Sequence, residues 1–479
     1  MPDNSKCNVA CDEDLNCCVI KSGDNLITSS KEDKELTKSQ LRKSIISFTW
    51  PCIAELMLIS LISIVNQAMV GHLGAYALAA VGLTNQPVLV GVAVFQAFNV
   101  GATALVARFI GAKDYKNAKN VVIQTLMISI ITGTVISVLG FIFSGQMVLA
   151  MGAKEDTYVY ARMYMKYMAI GFIFQAIPTA VTSLLRGAGE TKAPMRFNIA
   201  ANVVNVAAGY LLIYGFWFIP PLGVHGAAIA TTLAKLTSCG LSIYSIMTIK
   251  LPIVVSVKDK FRLDGGMLKR IMNIGTAAAG EQFAMRFGFI IYTKVIADLG
   301  TVPFAAHQLV ISITGLSFNF AQALGMASTS FMGRNLGMKR PERAAQYCSE
   351  LRRAAMVVSV AISSTFFFLG SEIASLFTTD KDVIKTTAFL LKIVILNTPF
   401  QNSQLVTSGG LRGAGDTRWP LVAVISGVLL VRVPLVLILI KGFDFNVGAA
   451  WVAAVCDQIV RYVVVYARFI GGKWKQIEV

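Results

Sequence analysis

Charge and histidine are both scarce in this chain. Asp, Glu, Lys and Arg make up 14% of its 479 residues, against about a quarter in a soluble domain. That shortage excludes a protein wetted by water over its whole surface. The three histidines, His72, His225 and His307, stand far apart and read as loop or packing residues. No nucleophile beside a base, no ligand set at metal spacing and no cofactor loop can be assembled, so neither an enzyme nor a metal or cofactor site is expected. A Gly-x-x-x-x-Gly-Lys-Ser/Thr loop is also missing, as is a soluble domain in which ATP could be hydrolysed, so any uphill work must draw on an ion gradient. One charge crossing 100 mV supplies about 2.3 kcal/mol, roughly a fiftyfold concentration ratio.

What the chain has instead is apolar length. Apolar residues make up 55% of it and the mean hydropathy is +0.63. Twelve stretches, near 45–70, 80–107, 119–143, 158–184, 194–218, 223–249, 268–296, 304–332, 344–370, 384–410, 420–440 and 446–469, read as helices. Each is long enough to cross a hydrocarbon core of about 30 Å at 1.5 Å per residue. The chain also repeats itself. Arg186 to Pro194 (RGAGETKAP) and Arg412 to Pro420 (RGAGDTRWP) agree at six positions, 226 residues apart. The same offset pairs Glu55 with Glu281, Leu73 with Leu299, Gln96 with Gln322, Thr103 with Thr329, Arg108 with Arg334 and Gly111 with Gly337. The expected fold is therefore an all-α polytopic membrane protein of two six-helix lobes. An even number of crossings per lobe gives both the same orientation, related by a pseudo-twofold axis along the membrane normal.

The net charge of +17 does not point to nucleic acid, because its basic residues track alternate loops. Arg108, Lys113 and Lys116, Arg186 and Lys192, Arg334, Lys339 and Arg340, and Arg412 and Arg418 share one side. Phe216 to Leu222 and Asp298 to Pro303, on the other, carry no basic residue, although Lys381, Lys385 and Lys441 lie there as exceptions. The bias places both termini and both RGAG loops in the cytoplasm of a cell whose plasma membrane the chain spans. Residues 1–42 read as a polar, flexible cytoplasmic tail without a signal peptide. The lobes are 43–250 and 268–479, with a cytoplasmic linker at 251–267. Cys7, Cys11, Cys17 and Cys18 cluster in the tail without a histidine or a zinc-module spacing; Cys52, Cys239, Cys348 and Cys456 read as small apolar residues.

Carboxylates inside apolar helices carry the sharpest functional signal, since an ion at the bilayer centre costs a few kcal/mol or more. Glu55 and Glu281 hold equivalent places in the two lobes. A carboxylate in a desolvated cavity can hold a proton and release it to water or a competing cation, or it can help to coordinate Na⁺ as a hard ligand. The bland reading is a static ion pair, with Arg286 or Arg432 as partner of Glu281. Asp457 and Arg461, one turn apart, are expected to pair with each other. Asn198, Asn202 and Asn205 share a helix face, and Asn66 and Gln67 lie on the first helix. They line a cavity or bond neighbouring helices. Gln282, Arg286 and Tyr292, on the helix of Glu281, complete the candidate cavity wall. The RGAG segments read as tight turns, Gly permitting positive φ and Pro194 or Pro420 starting the next helix.

These motifs resemble the MATE (multidrug and toxic compound extrusion) transporters, NorM-type members more than DinF-type, from about residue 43 onward. The matching residues include Pro51 with Glu55, Met69 to Gly74, Gly101 to Gly111, both RGAG segments, Gly226 to Ala228, Glu281, Ala305 to His307, Gln322 to Ala327 and Arg432 to Leu435. The resemblance implies a V-shaped, monomeric pair of lobes in the lipid bilayer, alternating between two openings and exporting organic cations in exchange for H⁺ or Na⁺. It implies a coupling role for Glu281. Many members carry Asp where this chain has Asn66 and again where it has Gly209, so a first-lobe cation site of that kind is not implied. An acid common before the second RGAG segment is replaced by Gln401 and Asn402. Flipping of a lipid or a lipid-linked sugar is the alternative within transport and calls for a strongly basic cavity. A non-transporting receptor is the alternative outside it, and a channel lacks any repeated filter loop.

Overall fold

A computed structural model of the chain describes residues 11–12, 17–20, 27–30, 38–215, 220–249 and 262–477. In the tail, the backbone pairs antiparallel in three short strands, β1 (Cys11–Asp12), β2 (Cys17–Ile20) and β3 (Ile27–Ser30). Cys7, the side chains of Cys11, Cys17 and Cys18, and the greater part of the expected 251–267 linker lie outside the described residues.

All other regular structure among the described residues is helical. The first lobe comprises α1 (Lys38–Gly71), α2 (Ala75–Gly111), α3 (Tyr115–Ile142), the short α4 (Ser144–Ala150), α5 (Glu155–Ala188), α6 (Lys192–Tyr214) and α7 (Val224–Thr248). The second comprises α8 (Gly265–Ala297), α9 (Thr301–Gly337), α10 (Pro341–Phe368), the short α11 (Gly370–Ser375), α12 (Lys381–Gly413), a span from α13 (Arg418–Val424) through α14 (Val433–Leu437), and α15 (Val447–Ile470). Eleven helices are long and apolar enough to cross a membrane among the described residues. The twelfth, α8, has 33 residues but carries Lys269, Arg270, Glu281, Arg286 and Lys294, and it takes the place of α1 in the second repeat. The helices outrun the apolar stretches: α1 starts at Lys38 rather than near 45. The span containing Pro434 winds as a π-helix over Ile425–Arg432 and Ile438–Gly442. A proline inside a helix has no N–H to donate and its ring crowds the carbonyl four residues back, and a wider turn accommodates both.

Local chemistry sets the ends. Asp114 accepts from the Asn117 amide at 3.1 Å to cap α3, and Asp264 accepts from Gly266 at 2.9 Å to cap α8. The duplication is visible in the backbone: Lys113 and Lys339 turn the chain at φ 60° and 59°, and Gly189 and Gly415 of the two RGAG segments at 93° and 87°. Thr103 donates to the Ser183 carbonyl at 3.0 Å, and Thr329 to the Gly409 carbonyl at 2.8 Å.

The lobes meet on the side where α1 begins and α2, α9 and α15 end, here called the terminal side. A Cβ at Gly111 would strike the Arg334 carbonyl, and one at Gly337 the Arg108 carbonyl. The axis relating the lobes passes between these two contacts. Each lobe's first helix also reaches into the other lobe: Leu41, Ile45 and Phe48 of α1 pack with Leu324, Tyr347 and Leu351, while Ile271 and Ile274 of α8 pack with Leu105, Val106 and Leu184. In lipid such packing is held by close van der Waals contact rather than by exclusion of water. On the same side Ser330 donates to the Arg186 carbonyl across the lobes at 2.7 Å, and Gln124 ties the first lobe to the segment before α8 by donating to the Arg262 carbonyl at 2.7 Å. Asn319 donates to Ser60 at 2.7 Å near mid-membrane.

Candidate functional site

Between the lobes lies a cavity of about 1030 Å³. Glu55, Asn66, Gln67, Asn198, Asn202, Asn205, Glu281 and Gln282 all line it, as the sequence suggested. Its first-lobe wall comes from α1, α2, α5, α6 and α7, and its second-lobe wall from α8, α9 and α12.

Both carboxylates are buried, Glu55 at 3% and Glu281 at 5% exposure, and neither is alone. Arg186 donates through Nη2 to Oε2 of Glu55 at 2.7 Å. Arg412 clasps Glu281 with two nitrogens, Nη2 on Oε1 and Nε on Oε2, the latter at 3.3 Å. Each pair spans 131 residues, so the duplication copied the ion pair whole. The arginines are the first residues of the two RGAG segments. Those segments do turn the chain at Gly189 and Gly415 as expected, but they also hold the carboxylates, which sequence reasoning missed. The signal was there: Arg186 and Arg412 share the 226-residue offset of Glu55 and Glu281. Gly187 and Gly413 let the arginine-bearing helix ends approach α2 and α9, since a Cβ at either would strike the carbonyl of Thr103 or Thr329.

The two pairs also differ in what else the carboxylate accepts. Asn198 Nδ2 donates to the second oxygen of Glu55 at 2.7 Å, and Ser238 in turn donates to Asn198 Oδ1 at 3.3 Å. Position 424, the counterpart of Asn198, is Val424. Among the described residues, Glu281 has its guanidinium and no amide donor.

Three expectations fail. Arg286 is half-buried on α8, outside the cavity wall and unpaired with Glu281. Tyr292 is buried within the second lobe, its hydroxyl donating to the Ala450 carbonyl at 3.0 Å, with the Arg432 guanidinium 5.2 Å from its ring centre. It sits too far along α8 toward the other side to reach the cavity. Arg432 is not a partner of Glu281: it pairs with Asp457 at 2.6 Å, while Arg461 pairs with the same carboxylate at 2.8 Å as expected. Asn402 is fully buried and ties α12 to α9 and α10 by donating to Ser317 at 3.0 Å and Ser359 at 2.6 Å. His307 is likewise buried, edge-on to Tyr292 with ring centres 5.6 Å apart, and is a packing residue. Cys52, Cys239 and Cys348 are buried free thiols and Cys456 is half-buried. Among the described residues, no group of three His, Cys, Asp or Glu could hold a metal. Lys235 on α7, which sequence reasoning passed over, also lines the cavity.

The family pattern described as MatE matches residues 51–211 and 277–438. The chain is 26% identical over 444 residues to a probable multidrug resistance protein NorM of Thermotoga maritima, covering 91% of this chain and 94% of that one. It is 24% identical to an uncharacterized transporter, YisQ, of Bacillus subtilis, covering 90% and 95%. Its fold matches an outward-facing multidrug resistance MATE transporter with a TM-score of 0.84 at 23% identity, over 92% of this chain and 100% of that one. A transporter of the same superfamily from Pyrococcus furiosus, described as having a binding pocket of reverse polarity, matches with a TM-score of 0.81 at 24% identity, over 92% and 98%.

Proposed function

This chain belongs to the MatE family, a multi-pass membrane transporter of the multidrug efflux class, and we propose that it is a secondary active antiporter coupled through its two Glu–Arg pairs. The carrying observation is that both repeats bury the same pair on the wall of one interlobe cavity. In this reading the cavity faces the outside, with the termini in the cytoplasm and the chain in the plasma membrane. An arriving H⁺ or Na⁺ takes the Glu281 carboxylate from Arg412. A buried guanidinium without its counter-ion is unfavourable, so displacing it drives a change in the helix end that carries it. That end adjoins the lobe contact, where the Arg186 carbonyl of the equivalent segment accepts from Ser330. The lobes rock, the coupling ion leaves to the cytoplasm, and substrate enters from that side. Exchange follows from mutual exclusion at one carboxylate. Glu281 is the working site and Glu55, with its extra amide donor, the more static one.

Organic cations are the substrate class that competition at Glu281 favours. Both lobes that line the cavity belong to one chain, so this reading takes the monomer as the working unit. The reading of a lipid or lipid-linked sugar flippase draws support from one observation: the cavity wall carries Arg186, Arg412 and Lys235 against Glu55 and Glu281. The deciding experiment is ethidium export from proteoliposomes under an imposed Na⁺ or pH gradient, with Glu281→Gln as the comparison. Export driven by one gradient and lost in the variant supports the antiporter and identifies its ion. A variant that exports normally, or an intact protein indifferent to both gradients, removes Glu281 from coupling.

A further inference from the structure

We propose that Lys235 is an anion-binding residue of the cavity, so that the protein takes amphipathic substrates bearing a carboxylate or phosphate as well as a bulky apolar body. Lys235 lies eleven residues from the start of α7, a helix of 25 residues. That is roughly 17 Å from one end and 20 Å from the other at 1.5 Å per residue, too far for the side chain to carry its ammonium out to either membrane surface. A cation held at that depth needs a counter-ion or a task. The other ionic groups of the wall are already matched, Glu55 with Arg186 and Glu281 with Arg412.

Among the described residues, the Lys235 ammonium meets soft neighbours. Its Nζ lies 4.0 Å from the Met168 sulfur and 5.3 Å from the centre of the Phe172 ring. No carboxylate among the described residues forms an ion pair with it. A lysine ammonium carries three donors, and neither a thioether nor a ring face neutralises its charge. Space has been made for it as well: a Cβ at Gly171 would come within 2.9 Å of the lysine Cδ and 3.1 Å of its Nζ. The cavity wall also offers Gln175, Asn202 and Thr231 as uncharged hydrogen-bonding groups, with Met168 as apolar surface.

The second lobe shows what a structural charge at this level looks like. Gly226-Ala227-Ala228 recurs as Gly448-Ala449-Ala450, 222 residues later, and the same offset places Lys235 opposite Asp457. Asp457 is fully buried between Arg432 and Arg461, away from the cavity. By the offset of 226 that runs through α6, the counterpart of Arg432 is Val206, and by the offset of 222 the counterpart of Arg461 is Cys239. The first lobe thus has a charge of opposite sign at this place, uncharged Val206 and Cys239 where the second lobe has its arginines, and an open cavity beside it.

This inference rests on the export reading only for the direction of transport, and binding tests it separately. The probes are rhodamine B, whose carboxylate is free, and its ethyl ester, which keeps the dye's cationic ring system and lacks the anion. Equilibrium binding to purified full-length protein and gradient-driven export from proteoliposomes are both measured. The intact protein is expected to bind the acid more tightly than the ester. Lys235→Gln should weaken acid binding by about ten- to a hundredfold, the range of one charge-assisted contact, and should tighten ester binding. Lys235→Arg should restore the preference for the acid. An intact protein that prefers the ester, or a Gln variant that weakens acid and ester alike, overturns the proposal. A preserved Lys235-dependent acid preference in binding, with neither dye exported under any gradient, upholds it and removes the export reading instead.

Discussion

Replacing Glu281 by Gln and Arg412 by Gln, singly and together, separates the pair's contribution to stability from its contribution to coupling. Each single change leaves a buried polar or charged group without its partner. For a fully dry ion pair that costs about 3–5 kcal/mol, and a hydrogen bond to a charged group is worth about 1.5–3 kcal/mol. The Glu281 side chain is 6% exposed and that of Arg412 18%, beside a cavity of about 1030 Å³. Water reaches the arginine, so the lower range applies and each single variant should lose about 1.5–3 kcal/mol. The double variant should lose less than the sum of the two, because an amide pair can bond across the same gap. Denaturant unfolding in detergent, read through the intrinsic fluorescence, gives the three values. Coupling should behave differently: export in proteoliposomes stays lost in the double variant, since no carboxylate remains for the ion. Strict additivity of the losses would show that the pair does not interact in the folded protein. Gradient-driven export by the double variant would show that the ion binds elsewhere.

The lobe contact gives a steric test. Gly337→Ala drives a methyl group into the Arg108 carbonyl, an overpacking cost of about 1–3 kcal/mol borne only while the terminal sides touch. Spin labels on cysteines placed at Lys116 and Lys339 should report a longer, broader distance in this variant, and an unchanged distribution would sink the assignment of that contact. At Asp457, fully buried with two arginines on it, Asp457→Asn strands both cations and should cost about 3–5 kcal/mol; a loss under about 1 kcal/mol in the same unfolding assay contradicts the network. Asp264, outside the membrane spans, is held below its ordinary value of 3.8 chiefly by the Asn120 amide, then by the backbone amide of Met267. Its contribution to holding α8 against α3 is present above that ordinary value and lost as pH falls through the lowered one. Carboxyl titration followed by NMR should show Asn120→Ala raising the Asp264 value, and no change would remove the amide as the cause.

The sequence exposed the fold and half of each ion pair for one physical reason: both rest on contrasts that lipid enforces. Twelve apolar stretches and two carboxylates inside them stand out because a bilayer tolerates little else. Arg186 and Arg412 did not stand out. They sit in the last turns of α5 and α12, beside glycines and just before a polar loop, where an arginine ordinarily faces water. Their reach is set by helix lengths that hydropathy does not show. Because α1 starts at Lys38, Glu55 lies seventeen residues into a helix of 34, about 26 Å along the axis and at its middle. Arg286 attracted the pairing with Glu281 through proximity in sequence, yet five residues along a helix is about 500° of rotation, which turns it off the face that Glu281 presents. Lys235 was hidden by a different cause. The second repeat is four residues shorter between α14 and α15 than the first between α6 and α7, as the offsets of 226 and 222 show. Only the corrected register sets Lys235 against Asp457, and only the structure shows that one of these charges is answered by two arginines while the other faces the cavity.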